Sequence, residues 1–192
     1  MPKIFSDEEK QAHKELLLDK GLHIIMENGY KHVTVDDLVN MIGASKGYFY
    51  VLFPSKEDFF LEALAWQMEK NFKRLEEAVK KQYTPSQIAQ LYRDIFKNRM
   101  HFANYEDAAY VQQKISDEQW SRFQNYQELF FTRILELLGR NNEKCDPKIV
   151  SNLSAIMFLL YNSQAKYLFT DKIKETTDIL LETFHTYIFG KE

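Results

Sequence analysis

The chain reads as an all-α protein of about nine helices in 192 residues, a head of short helices followed by a body of long ones. Three observations predict this. Apolar residues recur at spacings of three and four, as in Leu17, Leu18, Gly21, Leu22 and Ile25, or Phe123, Tyr126, Phe130, Ile134 and Leu137, the period of a helix buried along one face. No convincing strand alternation interrupts them. Nine Ser, Thr, Asp or Asn residues each precede such a run, where a side-chain oxygen can accept from the unpaired amides of a first helical turn.

Those starts are Ser6, Thr34, Ser45, Ser55, Thr84, Asn104, Ser116, Asp146 and Thr170. Ser6 with Glu9 and Ser116 with Gln119 have the spacing of reciprocal capping boxes. Thr84-Pro85 and Asp146-Pro147 add proline at the first helical position, where its missing N–H is no loss. Gly29 and Gly139 fall where a helix ends in a residue of positive φ, and they are expected to close the first and seventh helices. The second and third helices are very short, and the fourth runs from Ser55 to about Gln82.

Composition limits the class. The chain is 45% hydrophobic and 28% charged with six Gly and four Pro, a globular balance. One cysteine, Cys145, excludes an internal disulfide and a cysteine-based zinc cluster and fits a reducing cytoplasm. It sits beside Asn141, Asn142, Glu143 and Lys144, so it is expected in an exposed polar loop. Met1 to Lys10 carry no apolar signal-like run, and the apolar stretch Ala155 to Tyr161 is far too short for a bilayer. A soluble, cytoplasmic protein with no membrane partner is the expectation. Net charge is -3. Residues 1 to 60 hold seven lysines and no arginine against ten acidic residues, so any contact with a polyanion must rest on a few placed groups, not on a basic field.

Thr34 to Phe53 is the most informative stretch. Thr34 opens a helix whose apolar face is Val35, Leu38, Val39 and Ile42; Gly43 permits a sharp turn, and Ser45 caps the next helix. Two short helices across a glycine turn form a helix-turn-helix, the second helix entering a DNA major groove. On this geometry Ser45, Lys46, Gly47 and Tyr48 lie at the DNA-facing end, and Phe49 and Phe53 face inward. Gly29-Tyr30, Thr34, Gly43-Ala44-Ser45-Lys46-Gly47, Tyr50 and Phe53-Pro54-Ser55-Lys56-Glu57 stand in an order and spacing that resembles the DNA-binding head of the tetracycline-repressor (TetR) family. The resemblance covers roughly residues 7 to 70, with the motif at about 34 to 53, and leaves 71 to 192 as a body matched in layout only.

The resemblance implies a homodimer, a ligand-binding and dimerisation body, and a repressor released from a near-palindromic operator by a small molecule. It also implies that Thr34 and Tyr50 touch phosphate, that Lys46 and Gly47 open the recognition helix, and that Lys56 sits beside the DNA backbone. Departures from the pattern are Tyr48 in place of a small hydroxyl residue, and Val51 and Leu52 in place of an aromatic or histidine pair. The alternative is a helical dimeric module that has lost specific DNA recognition.

In the body, large rings interleaved with amides suit an enclosed site for an apolar or aromatic effector. Its candidates are Trp66, Phe96, Met100, Tyr110, Trp120, Phe123, Tyr126 and Gln127; packing of the helix bundle would use the same residues. Arg99 and His101 could meet an acidic ligand or be satisfied by Glu106 or Asp107. Helix eight (Asp146 to Phe169) and helix nine (Thr170 to Phe189) carry apolar stripes. Leu153, Ile156, Met157, Leu160, Leu180, Phe184 and Ile188 on these stripes form either a dimer seam or intrachain core.

No catalytic motif stands out, so no enzyme, cofactor or metal is expected. Glu182 and His185 have the Glu-x-x-His spacing of di-iron bundles, but the required second copy is absent. His13, His23 and His32 lack ligand spacing.

Overall fold

The computed structural model describes residues 5–97, 105–140, 145–161 and 168–190, and every regular element among them is helical. Helix α1 runs without a break as Asp7–Leu16, a π-helical turn Leu17–Gly21, and Leu22–Asn28. Then come α2 (Val35–Asn40), α3 (Lys46–Leu52), α4 (Lys56–Lys80), α5 (Pro85–Lys97), α6 (Tyr105–Lys114), α7 (Asp117–Leu137), α8 (Pro147–Tyr161) and α9 (Ile173–Phe189). No described helix is long and apolar enough to cross a membrane.

The expected caps act as caps wherever they are described, with one exception. Ser6 and Thr34 form full capping boxes with Glu9 and Asp37. Ser45, Ser55, Thr84 and Ser116 each accept from an amide three residues on, and Asp146 accepts from Lys148 N. Asn104 lies outside the described residues. Thr170 is the exception: it opens a 3₁₀ turn, Thr170–Lys172, and α9 begins at Ile173 without a side-chain cap.

Packing divides the chain into two compact units. The first comprises Met1–Met68 with Met100–Gln119, the second Glu69–Arg99 with Trp120–Glu192. The division within α4 falls close to residue 70, but α6 and the start of α7 group with the head.

The first unit is built around three phenylalanines. Phe49 of α3, Phe53 just after it and Phe59 of α4 are fully buried, with ring centroids 5.0 to 5.6 Å apart. Rings at these separations add about 0.5–1.5 kcal/mol per pair beyond their area. Gly21 in the π turn lets this cluster close: a Cβ there would lie 2.7 Å from Phe59 Cζ and 3.1 Å from Leu38 Cδ2. The caps of α4 and α7 are joined as well, because Gln119 Nε2 donates to Asp58 Oδ2 (3.0 Å) and to Ser55 Oγ (3.2 Å).

In the second unit, Trp120, Phe123, Tyr126 and Phe130 form a ladder along one face of α7, with centroids 6.1 to 6.3 Å apart. Arg133 grips both oxygens of Glu69 (2.7 and 3.2 Å) beside a hydrogen bond donated by the Tyr126 hydroxyl (3.0 Å), and its guanidinium lies 4.2 Å from the Phe72 ring centroid. Burial alone would raise the Glu69 pKa, but the hydrogen bonds from Arg133 and Tyr126 outweigh it and hold the carboxyl below the usual glutamate range. Burial and then the Glu69 carboxylate push the Tyr126 phenol upward.

Two expectations for the body are corrected. Cys145 is buried, its thiol directed at the carbonyl of Tyr187 (Sγ to O 3.4 Å), because Asp146 N donates to the Tyr187 hydroxyl (3.0 Å) and folds the segment onto α9. Met157, Phe184 and Ile188 are interior residues of the second unit and leave the expected seam. Each joins an inward stripe at helical spacing: Val150, Ser154 and Met157 on α8, and Thr177, Leu181, Phe184 and Ile188 on α9. The outward stripes carry Ile149, Ile156 and Leu159 on α8 and Ile179 on α9, all exposed. Leu153, Leu160 and Leu180 are half-buried between the two.

Candidate nucleic-acid interface

The site is built on the turn between α2 and α3. At the end of α2, Gly43 N donates to Asn40 O (3.3 Å) and Ala44 N to Val39 O (3.1 Å), with Gly43 at φ 61. This is the paired-bond cap that glycine closes without Cβ strain. Ser45 follows at once, its Oγ accepting from Tyr48 N, and so a chain reversal and a new helix start occupy three residues.

Helix α3 then has two faces. Phe49 points inward onto the phenylalanine cluster. Lys46, Gly47, Tyr50 and Val51, at positions i, i+1, i+4 and i+5, form one exposed face, with Tyr50 50% and Val51 67% accessible. An added Cβ on Gly47 would meet only Ser45 Oγ within 4 Å, so another molecule can approach the backbone closely there. Val51 was not expected to share this face. Its spacing of four from Gly47 was the available signal, masked by its apolar character.

Three residues expected to touch DNA have partners within the head. The Tyr48 ring leaves the exposed face and lies against α1, 4.4 Å from the Phe5 centroid and edge-on to His13, while its hydroxyl is hydrogen bonded to His13 Nδ1 at 3.1 Å. Burial raises the Tyr48 phenol pKa; Lys10 opposes this and Glu9 reinforces it. Thr34 donates both its hydroxyl proton (2.6 Å) and its amide proton (2.8 Å) to Asp37 Oδ2, and these bonds, the hydroxyl first, lower the Asp37 pKa. Lys56 Nζ donates to the carbonyls of Tyr30 and Val33 and sits 3.9 Å from the Tyr30 ring centroid, clamping the loop before α2 onto α4. The Tyr30 hydroxyl in turn donates to Glu57 Oε1 at 2.7 Å.

Charge on the exposed face is sparse. Lys46 is its cation, and Asp36 of α2 lies 3.7 Å away, both well exposed. An exposed pair of this kind contributes little to stability and remains available to other partners.

The expected effector residues fall in both units. Trp66 and Tyr110 belong to the first. The Trp66 indole nitrogen is buried with no hydrogen-bond acceptor among the described residues, while the Tyr110 ring lies 6.3 Å from Tyr30 with Lys31 and Lys114 over it. Trp120, Phe123, Tyr126 and Gln127 belong to the second and lie along α7. The Phe96 side chain, Met100, Arg99 and His101 lie outside the described residues. A cavity of about 200 Å³ in the second unit is lined by none of the six expected residues whose side chains are described.

Comparison with known proteins agrees with the geometry of the head. Residues 17–63 match the family described as bacterial regulatory proteins, tetR family. The chain is 40% identical over 55 residues to the uncharacterized HTH-type transcriptional regulator YwcC of Bacillus subtilis (strain 168), a stretch covering 29% of this chain and 25% of that protein. It is 29% identical over 91 residues to YuxN, an uncharacterized HTH-type transcriptional regulator of the same organism, covering 45% and 31%. Thus the chain spans a quarter to a third of the length of these curated relatives. A crystal structure of a transcriptional regulator (TerR/AcrR family) from Aquifex aeolicus VF5 aligns over 89% of this chain and 96% of that one, at 18% identity and a TM-score of 0.43. The capped glycine turn and the match over residues 17–63 agree: the head of this chain is similar to that of the tetR family of bacterial regulatory proteins.

Proposed function

We propose that the protein is a ligand-responsive transcriptional regulator that grips double-stranded DNA with the exposed face of α3 and acts as a repressor released by a small effector. The observation that carries this reading is the grouping of Lys46, Gly47, Tyr50 and Val51 on one accessible face of a short helix, fixed from behind by Phe49. Each suits the role. Lys46 supplies an ammonium for phosphate or a base edge, Gly47 allows close approach, Tyr50 offers a hydroxyl to phosphate, and Val51 offers an apolar contact for a thymine methyl. Tyr48, Thr34 and Lys56 act behind them as positioning residues, holding α3 against α1, capping α2 and pinning the preceding loop.

A homodimer would give two such helices, which read half-sites about 34–36 Å apart and so a near-palindromic operator. The exposed Ile149, Ile156, Leu159 and Ile179, with half-buried Leu153, Leu160 and Leu180, supply apolar area for a two-fold seam. Release by an effector requires unequal affinity for the DNA-bound and free conformations.

The test is selection of bound fragments from the DNA flanking the protein's own gene, followed by competition with unrelated duplex. Recovery of one near-palindromic sequence supports the reading. Equal binding to all duplexes, or none, would leave a helical binding module without DNA recognition.

A further inference from the structure

Two helices of the second unit end in the same way, and both endings face one cavity. At the end of α4, Gln82 N donates to Val79 O (2.9 Å) and Tyr83 N to Ala78 O (3.1 Å), with Gln82 at φ 57; at the end of α7, Gly139 N donates to Glu136 O (3.0 Å) and Arg140 N to Leu135 O (2.7 Å), with Gly139 at φ 64. Each motif fixes the backbone of the residue after its left-handed position, and these two residues, Tyr83 and Arg140, line the 200 Å³ cavity. Its walls are otherwise apolar, including Ile88, Leu137, Leu138 and Phe189.

Among the described residues, Arg140 is the one charged side chain in this lining. Its guanidinium lies 5.7 Å from the Phe189 ring centroid, and among the described residues it makes no ion pair with a carboxylate. A forked cation on a fixed backbone, beside apolar walls, suits bidentate recognition of a carboxylate. Tyr83 adds a hydroxyl donor at the same rim. The volume sets the size: at about 200 Å³ the cavity lies below the roughly 300–1,000 Å³ of drug-sized ligand sites, and so suits a compact molecule. Space also lies on the far side of Phe189, in a smaller void lined by Ala89, Leu181 and His185, whose Nε2 is buried without a hydrogen-bond partner among the described residues.

We propose that this cavity binds a compact monocarboxylic acid, its carboxylate on Arg140 and its apolar body against Ile88, Leu137, Leu138 and Phe189. The proposal rests on the reading of the protein as ligand-responsive and gives the effector a chemical class. Isothermal titration of the full chain with hexanoate, phenylacetate and the neutral hexan-1-ol tests it. At least one acid is expected to bind, with hexan-1-ol about tenfold weaker or more. Arg140→Gln, at a half-exposed position that leaves the core intact, should weaken the acid by about tenfold, and Leu138→Trp, which fills the cavity, should abolish binding. Absence of binding by both acids, or affinity unchanged in both variants, overturns the proposal. DNA binding by the same preparations separates this outcome from the wider reading. Selective DNA binding without acid binding removes the site but leaves the regulator, whereas acid binding without selective DNA binding leaves the site but removes the regulator.

Discussion

The Tyr48 hydroxyl and His13 Nδ1 stand 3.1 Å apart, joining the third turn-facing residue of α3 to α1 while the Phe5 ring covers the Tyr48 ring at 4.4 Å. This contact sets the orientation in which α3 presents its outer face. Tyr48→Ala is therefore expected to lower the stability of the chain by about 1–3 kcal/mol through lost aromatic packing, and Tyr48→Phe by no more than about 1 kcal/mol. Denaturant unfolding checks both. Equal losses in the two variants would show that the hydroxyl, not the ring, dominates.

On the proposed reading, Asp36 weakens the surface that Lys46 offers to DNA. With Lys46 Nζ 3.7 Å from its carboxylate, Asp36→Asn should release the ammonium and remove a charge that repels phosphate. Affinity for duplex DNA is expected to rise about threefold at low salt and by less at high salt. Anisotropy titration at two salt concentrations measures this; an unchanged or weaker Kd would place the Asp36–Lys46 pair away from the DNA.

Gly21 and Gly43 are required for different reasons. A methyl at Gly21 meets Phe59 Cζ at 2.7 Å, so Gly21→Ala should cost about 1–3 kcal/mol by overpacking. Gly43 has open space but φ 61, so Gly43→Ala should cost about 1 kcal/mol from backbone strain, and Gly43→Asn less. Thermal melts of the three variants should rank in that order.

Glu69 gives the body a pH dependence. Its folded pKa lies below the ordinary value of about 4.3, so the stabilisation it supplies is present above that pH and is lost as pH falls through the depressed folded value. Because the Arg133–Glu69 pair is partly exposed, solvent screening limits the effect to about 1 kcal/mol. Glu69→Gln should be less stable than the parent at neutral pH, with the difference shrinking below pH 4. A constant difference across that range would assign the effect to packing.

The head was legible in the sequence because its local signals agree. Thr34, Gly43 and Ser45 each have one stereochemical role, and the structure places a cap, a left-handed turn and a second cap at those positions. The direction of individual side chains was not legible. Tyr48 shares the first turn of α3 with Lys46, but two residues apart on a helix the side chains do not share a face, and it is Phe5 and His13, far off in sequence, that meet the Tyr48 ring. Lys56 likewise reads as a surface cation until the carbonyls of Tyr30 and Val33 converge on it. In the body, α8 is apolar on more than one face, so periodicity could not separate inward Met157 from outward Ile156. The 200 Å³ cavity depends on where the ends of several helices meet, a relation that no local pattern records.

The central claim, that the outer face of α3 reads DNA, is tested most directly by one titration. The parent chain and a Lys46→Ala, Tyr50→Ala double variant are titrated, by fluorescence anisotropy over a salt series, against a duplex selected from the flanking DNA and a shuffled duplex of equal composition. The account predicts selective, salt-sensitive binding by the parent, loss of most of that affinity in the double variant with an unchanged melting temperature, and a salt slope smaller by about 1 for each phosphate contact removed. Equal affinity of parent and double variant for the selected duplex would contradict it.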